Sequence, residues 1–203
     1  MRRRERQLEA DLDAETLERL RKRDPTALAA CFRAFGKRTY RIARGILGQG
    51  ADAEDATQEI FLRVGEKAGT FDAKGSFAAW LRRLAVNHCL NRLEERQRRA
   101  ERLDGFDPDL VPDRSRTEFE TTESLERALG MLPLEQRSVL VLREIDGLTY
   151  REIAETLSIP IGTVMSRLAR ARERLLGVGA GARFGRGPSK VDAAVETIDE
   201  RRP

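Results

Sequence analysis

The sequence predicts an all-α protein: two small helical domains joined by a flexible acidic linker, the second domain containing a helix-turn-helix. The first observation is composition, because 35% of the 203 residues are charged, only 5% are aromatic, and Leu, Ala, Arg and Glu are abundant. The second is the recurrence of apolar residues at spacings of three and four, typical of amphipathic helices. The third is an acidic, proline-containing stretch after residue 96 that interrupts this spacing.

The N-terminal domain, assigned to residues 1–96, begins with a short amphipathic helix over residues 13–23. Asp24 and the proline that follows it start a second helix, because an acidic N-cap and a proline at the first helical position both suit a helix start. The glycines of Gly48-Gln-Gly50 end this helix. A third helix begins at Asp52, with acidic residues in its first turn, where the helix dipole favours negative charge.

The fourth helix carries a stripe of polar and aromatic side chains. Ser76 caps it after a loop over residues 69–75, and it reaches at least Arg96. The stripe consists of residues at positions i, i+3, i+7 and i+11, namely Trp80, Arg83, Asn87 and Asn91. Such a combination suits a single nucleic-acid strand, whose phosphates need charge and whose bases need stacking and hydrogen bonds. The alternative is that Trp80 belongs to the core and the asparagines only fill the surface.

The linker is assigned to residues 97–122, which include DGFDPDLVPD, a run rich in acid and proline and poor in periodic apolar residues. Helical spacing returns in the C-terminal domain, assigned to residues 123–176. Pro133 separates its first helical segment from a helix over residues 135–146, and Gly147 is the expected C-cap.

The end of this domain reads as a helix-turn-helix. Thr149 and Glu152 form a capping box at the first helix, Pro160 breaks that helix, and a second one runs from about Gly162. The packing side of the second helix holds Val164, Leu168, Ala171 and Leu175. The opposite side holds Met165, Ser166, Ala169, Arg170 and Arg172, with Arg167 and Arg174 on the flank. This suits a DNA major groove, and the alternative is a solvated basic helix in an ordinary bundle.

Composition also argues against several classes of function. The net charge of +4 permits contact with a polyanion without requiring it. Cys31 and Cys89 lack CxxC spacing and are expected to be buried free thiols, and the one histidine, His88, is too little for a zinc site or a catalytic relay. No apolar run is long enough to span a bilayer. We expect a cytoplasmic protein that is not an enzyme, with no cofactor and no metal, ending in a flexible tail over residues 177–203.

Four runs of the chain resemble the extracytoplasmic-function sigma factors, the smallest bacterial sigma factors that direct RNA polymerase to promoters. In order they are FRAFGKRTYRIARGIL at 32–47, ADAEDATQEIFLRV at 51–64, GSFAAWLRRLAVNHCLNRL at 75–93 and LPLEQRSVLVLREIDGLTYREIAETLSIPIGTVMSRLARARERL at 132–175. They follow the family's order, with a linker where the family has one, and the resemblance covers about residues 13–176. It implies a sigma factor that binds core polymerase, recognises the promoter −10 and −35 elements and directs promoter melting and initiation.

The resemblance places a polymerase surface on the third helix, within the pattern DAEDxxQExF. This helix would dock on the coiled coil of the polymerase's largest subunit, and its acidic face suits a basic partner. The implied contacts are Asp52, Asp55, Gln58, Glu59 and Phe61. Phe61 is either an apolar anchor or a core residue, and the alternative for the whole face is a solvated acidic helix.

The resemblance also implies two DNA surfaces. The fourth helix and the loop before it would hold an unstacked base of the melted −10 element. The residues implied there are Phe71, Ser76, Trp80, Arg83, Asn87 and Asn91. The second helix of the helix-turn-helix would read the −35 element through Thr163, Met165, Ser166, Arg167 and Arg170. Arg167 or Arg170 suits guanine, whereas Met165 and Ala169 depart from the family's basic and bulkier residues and imply a different or weaker −35 preference.

Further partners follow from the same resemblance. The C-terminal domain would contact the polymerase flap region, the linker would thread the active cleft and the RNA exit path, and an anti-sigma protein would hold the chain inactive. The alternative for the linker is a plain flexible tether, which explains its composition equally well. When bound to polymerase the chain would lie on the nucleoid. The alternative function is a one-component helix-turn-helix regulator, which would explain the C-terminal domain but not the motifs of the third and fourth helices.

Overall fold

A computed structural model describes residues 11–48, 50–72, 75–103 and 128–177, and in these ranges it contains helices and turns but no strand. The all-α prediction is therefore confirmed. The α-helices are α1 (Ala14–Arg21), α2 (Pro25–Leu47), α3 (Gly50–Lys67), α4 (Phe77–Leu103), α5 (Leu134–Leu140), α6 (Tyr150–Leu157) and α7 (Ile161–Gly177). A 3-10 turn, Ala68–Thr70, follows α3, a π-helical turn, Val141–Ile145, extends α5, and residues 128–130 are helical.

The helix starts follow the capping chemistry of the sequence. Asp13 and Asp24 accept hydrogen bonds from the backbone at the starts of α1 and α2, and Thr149 and Glu152 form the predicted capping box of α6. At the start of α4, Ser76 Oγ accepts a hydrogen bond from Ala79 N at 3.4 Å.

Asp11 adds a cap to α4 that the sequence did not reveal. Its carboxylate accepts hydrogen bonds from the amides of Phe77 and Ala78 at 3.0 and 3.2 Å. The carboxylate also places negative charge at the positive end of the helix dipole. The segment before α1 is thereby tied to the start of α4.

Two boundaries differ from the prediction. α3 begins at Gly50, two residues before Asp52, and α4 continues to Leu103, through the first seven residues of the predicted linker. Residues 94–103 are almost all strong helix formers, and Glu94 pairs with Arg98 one turn later at 3.6 Å, so the helix has no local reason to stop at residue 96. The rest of the predicted linker, and the tail from residue 178 onward, lie outside the described residues.

The N-terminal half is built around α2, which packs against α1, α3 and α4. Its core joins aliphatic residues of these helices to a group of aromatic rings. Phe77 is the centre of that group, with ring centroids 5.7 Å from Phe35, 5.5 Å from Phe71 and 5.3 Å from Trp80. The start of α4 is fixed in this way against α2 and the loop before α4.

The C-terminal half contains the predicted helix-turn-helix, with α7 packed on both α5 and α6. Gly147 has a φ of +73°, and Leu148 N donates to Leu142 O at 3.0 Å, which confirms the predicted C-cap. α6 ends at Ser158, whose φ of +55° turns the chain before Pro160 and α7.

The two halves also pack against each other. α4 contacts α6, and α2 contacts α5 and the π-helical turn. The buried apolar residues of both halves form one continuous cluster. This contact was not predicted, because the composition of the linker indicated only a flexible connection.

Candidate nucleic-acid and polymerase interfaces

Helix α7 has the two-sided character that its sequence predicts. Its four predicted packing residues, Val164, Leu168, Ala171 and Leu175, are all at most 2% exposed. Ser166, Ala169 and Arg170 are exposed on the opposite side, where Met165 is 38% exposed, and Thr163 and Arg167 are half-buried at its edge. The five implied −35 residues therefore lie on or beside one outward surface.

Arg172 is the exception on α7. Its Nη2 atom lies 3.0 Å from Glu144 Oε1, and both side chains are half-buried. This arginine joins α7 to the π-helical turn, so its charge is already paired within the C-terminal half. Helical spacing alone could not reveal this, because the partner is 28 residues away in the chain.

The implied −10 residues divide into a buried group and an exposed group. Phe71 is buried and Trp80 is half-buried, and their ring centroids lie 5.8 Å apart. Trp80 therefore packs on the aromatic core, as the alternative interpretation held. Ser76, Asn87 and Asn91 are exposed, and the two asparagines lie one turn apart on α4.

Arg83 is exposed, but its guanidinium group is hydrogen-bonded within the chain. Its Nη2 atom donates hydrogen bonds to the backbone oxygen of Glu155 and, at 3.2 Å, to Ser158 Oγ. Both acceptors lie at the end of α6. One of the implied −10 residues is therefore held by the C-terminal half of the chain.

The acidic face of α3 is partly neutralised by α4. Arg92 lies 2.9 Å from Glu59 and 3.7 Å from both Asp52 and Asp55, measured between guanidinium nitrogens and carboxylate oxygens. Arg96 also pairs with Asp52. Part of the acidic face of α3 is therefore already paired with arginines of α4 from the same chain.

His88 belongs to the same arrangement, and its Nε2 atom lies 3.0 Å from Glu59 Oε2. Burial, together with the nearby Arg63 guanidinium, lowers the pKa of His88, so the ring is neutral near pH 7. Residues 88, 92 and 96 are spaced by four, so the sequence contained a signal for this stripe. All three positions lie within the helix predicted from Ser76 to at least Arg96, so the spacing was readable, whereas the carboxylates of α3 that face the stripe were not.

The outward face of α3 has an apolar component that the sequence analysis missed. Phe61 is only 4% exposed, so it is a core residue, and Phe32 of α2 covers it edge-on at a centroid distance of 4.9 Å. Phe32 itself is 47% exposed and Leu62 is 64% exposed. Leu62 follows Gln58 by four residues, so the two share a face, and that spacing was the available signal.

The described residues hold no cluster of His, Cys, Asp and Glu that could bind a metal ion. Cys31 and Cys89 are buried free thiols, and burial raises the pKa of each to about 12. None of the described helices has the length and apolar character needed to cross a membrane.

Comparisons with known proteins match both halves. Residues 31–99 match the family model for sigma-70 region 2, and residues 122–175 match the model for sigma-70 region 4. The chain is 37% identical over 164 residues to the ECF RNA polymerase sigma factor SigM of Mycobacterium tuberculosis, covering 80% of this chain and 82% of that relative. It is 29% identical over 172 residues to the ECF sigma factor SigW of Bacillus subtilis, covering 78% and 92%.

Solved structures share the fold. The sigma factor RpoE of Bartonella quintana, in complex with the anti-sigma factor NepR, superposes with a TM-score of 0.63 at 24% identity, covering 76% of this chain and 98% of that one. CnrH in complex with the cytosolic domain of CnrY superposes with a TM-score of 0.59 at 23% identity, covering 83% and 97%.

Proposed function

The chain belongs to the sigma-70 family as an extracytoplasmic-function (ECF) RNA polymerase sigma factor, and on that premise we propose that its two helical halves divide promoter recognition between them. It binds core RNA polymerase and directs it to promoters, as a transcription initiation factor without enzymatic activity of its own. The observation that carries the division is the presence of two separate outward polar surfaces, on α4 and on α7, in one chain.

The −35 element is assigned to α7. Its exposed side carries Ser166 and Arg170, and Arg167 lies at its edge. Among the described residues, no carboxylate forms an ion pair with the guanidinium group of Arg170. A bidentate arginine–guanine pair discriminates by about 1–3 kcal/mol against a wrong base, so one such contact is enough to fix a position of the element. Met165 offers only an apolar contact at the centre of this surface, which supports a −35 preference different from the family's usual one.

The melted −10 element is assigned to the exposed side of α4. Asn87 and Asn91 present amide donors and acceptors one turn apart, which suits the edge of an extruded base. Trp80 and Phe71 support this surface from beneath, because their packing fixes the start of α4. Their contribution to DNA binding is therefore positional.

Core polymerase is assigned to the outward face of α3. Asp55 and Gln58 lie there beside the exposed Leu62 and Phe32. An acidic rim around an apolar centre suits a basic helical partner, since buried apolar contacts supply most of the affinity and the charges orient the partner. We add Phe32 and Leu62 to the implied polymerase contacts, and Phe61 acts through the core beneath them.

Regulation by an anti-sigma protein is proposed from the family resemblance, and it is supported by the structure of RpoE, which was obtained in complex with the anti-sigma factor NepR. The partner would cover the surfaces of α3, α4 and α7 that polymerase and DNA need. The chain would act in the cytoplasm, on the nucleoid when bound to polymerase.

Retention of DNA fragments tests the function. Genomic fragments are incubated with core polymerase alone, with the chain alone, or with both, and the retained fragments are sequenced. We expect fragments that share upstream motifs to be retained only when polymerase and chain are both present. Specific retention by the chain alone, unchanged by polymerase, would favour a one-component regulator and contradict the proposal.

A further inference from the structure

The outward surface of α7 has an uncharged side and a basic side. Met165 and Ala169 are exposed and lie one turn apart on the uncharged side, because residues four apart share a helix face. Arg170 is exposed on the other side, and Arg167 lies half-buried at its edge. A DNA groove would therefore meet apolar atoms along one side of this helix and guanidinium groups along the other.

Met165 is an exposed apolar side chain at a position that DNA would cover. Among the described residues three large apolar side chains are exposed, and the other two, Phe32 and Leu62, lie on the proposed polymerase face. Isolated apolar side chains are common on protein surfaces, so it is the position of Met165 that carries the argument. Met165 is the fifth residue of α7, and in helix-turn-helix proteins the first turns of the second helix contact base edges.

Ser166, beside Met165, can offer a base only acceptor atoms. Its Oγ atom donates a hydrogen bond to the backbone oxygen of Thr163 at 3.1 Å. That bond uses the one proton of the hydroxyl group, so its lone pairs alone remain for DNA. In the major groove an A·T pair presents an amino donor on adenine and a methyl group on thymine, whereas a G·C pair presents an amino donor without a methyl group. An acceptor beside an apolar side chain therefore suits an A·T pair.

The length of the uncharged side limits how many base pairs it can contact. Met165 and Ala169 are about 6 Å apart along the helix axis, whereas successive base pairs are about 3.4 Å apart. Glu173 is exposed one turn beyond Ala169, and DNA phosphate would repel its carboxylate. The uncharged side therefore spans no more than about three successive base pairs.

We propose that Met165 is a specificity-determining residue of α7, and that with Ala169 it reads the methyl groups of thymine at one or two A·T pairs of the −35 element. Ser166 accepts a hydrogen bond from the amino group of an adenine in the same run, and Arg170 reads a guanine beside it. α7 thus recognises a thymine-containing element by apolar contact on one side and by charge on the other. The inference rests on the assignment of the −35 element to α7 proposed above.

Replacement of thymine by uracil tests the proposal, because uracil pairs with adenine in the same way and lacks only the methyl group. A promoter identified by transcript starts that require the chain supplies the template, and the base pairs of its upstream motif are randomised. One duplex library is synthesised with thymine in that window, and a second library with uracil. Holoenzyme assembled from core polymerase and the full chain selects from both libraries, and the retained duplexes are sequenced.

We expect A·T pairs to be enriched at one or two positions of the thymine library, within about three successive base pairs. In the uracil library that enrichment should fall about fourfold per position, the factor expected from one methyl group buried against apolar atoms. Enrichment of guanine should be equal in the two libraries and serves as the internal control, because guanine carries no methyl group.

Undiminished A·T enrichment in the uracil library would overturn the proposal, and so would an upstream motif without A·T pairs. If no transcript start required the chain, the sigma-factor function itself would be wrong, and the inference with it.

Variants of Met165 test whether this residue causes the preference. At one of the enriched positions, we expect Met165→Ala to reduce the ratio of holoenzyme affinities for the thymine and uracil duplexes from about four to about one. Met165→Leu, which keeps an apolar side chain of similar size, is the matched control and should keep the ratio. Arg174→Gln removes an exposed charge of the same helix and should weaken binding to both duplexes equally. An unchanged ratio in Met165→Ala would overturn the role of Met165.

Discussion

At the residue scale, the arginines separate into those that hold the molecule together and those that remain available to a partner. Arg82, Arg92, Arg137 and Arg172 are half-buried and contact carboxylates or backbone oxygens of other elements. Burial lowers the pKa of Arg82 and Arg137. Arg170 is exposed on α7. Net charge alone therefore says little about the size of the DNA surface.

Two arginines of α7 allow this separation to be tested. We expect Arg170→Ala to weaken −35 binding by the holoenzyme by about 1–3 kcal/mol while leaving the free energy of unfolding unchanged, because its side chain is exposed on the proposed DNA surface of α7. Arg172→Ala should instead lower the free energy of unfolding by up to about 1 kcal/mol, because it breaks a half-exposed ion pair. Promoter titration and urea unfolding of both variants measure the difference. A large stability loss in Arg170→Ala would contradict the assignment.

Asn87 provides a residue-scale test of the −10 assignment. We expect Asn87→Ala to impair promoter opening by about tenfold while closed-complex binding changes little, because a base edge is available only after the strands separate. Permanganate footprinting measures the opening, and gel shift measures the binding. Equal losses in the two measurements would reject the base-capture role.

At the scale of elements, local chemistry was enough to predict most helix starts and ends. The capping box at Thr149 and the positive φ at Gly147 each involve residues within a few positions of one another, so the sequence contains the whole cause. The continuation of α4 to Leu103 was missed because its acidic and basic residues resemble a linker when their helical pairing is ignored. The sequence does not decide whether Trp80 is buried, because its burial depends on how its ring packs against Phe71 and Phe77 in the folded domain.

The pairing of α3 with α4 is an element-scale contact whose strength depends on ionic strength. Arg92 faces three carboxylates of α3, so Arg92→Ala leaves those like charges together without their main counter-charge. We expect the free energy of unfolding to fall by about 1 kcal/mol at low salt and by less at 1 M salt, where the Debye length is about 3 Å. Urea unfolding at two salt concentrations measures this. A loss independent of salt would indicate packing by the arginine stem instead.

At the scale of the whole molecule, the arrangement of the halves is the feature that the sequence could not supply. Arg38 and Asp146 are 108 residues apart, and no local pattern around either residue indicates that the two form an ion pair. The fold class and the family motifs could be predicted, because each helix and each motif is determined by a short stretch of the sequence. The interface instead joins α2, α4, α5 and α6, so it exists only after both halves have folded.

The central claim is that this chain directs RNA polymerase to promoters by reading two separate elements, and sequencing of transcript starts tests it most directly. Core polymerase transcribes a library of genomic fragments with and without the full chain. The account predicts discrete new transcription starts that appear only with the chain and share two upstream sequence motifs. In Asn87→Ala, the choice of starts should depend less on the motif nearer the start. In Arg170→Ala, it should depend less on the farther motif. Unchanged starts, with the chain demonstrably bound to core polymerase, would contradict it.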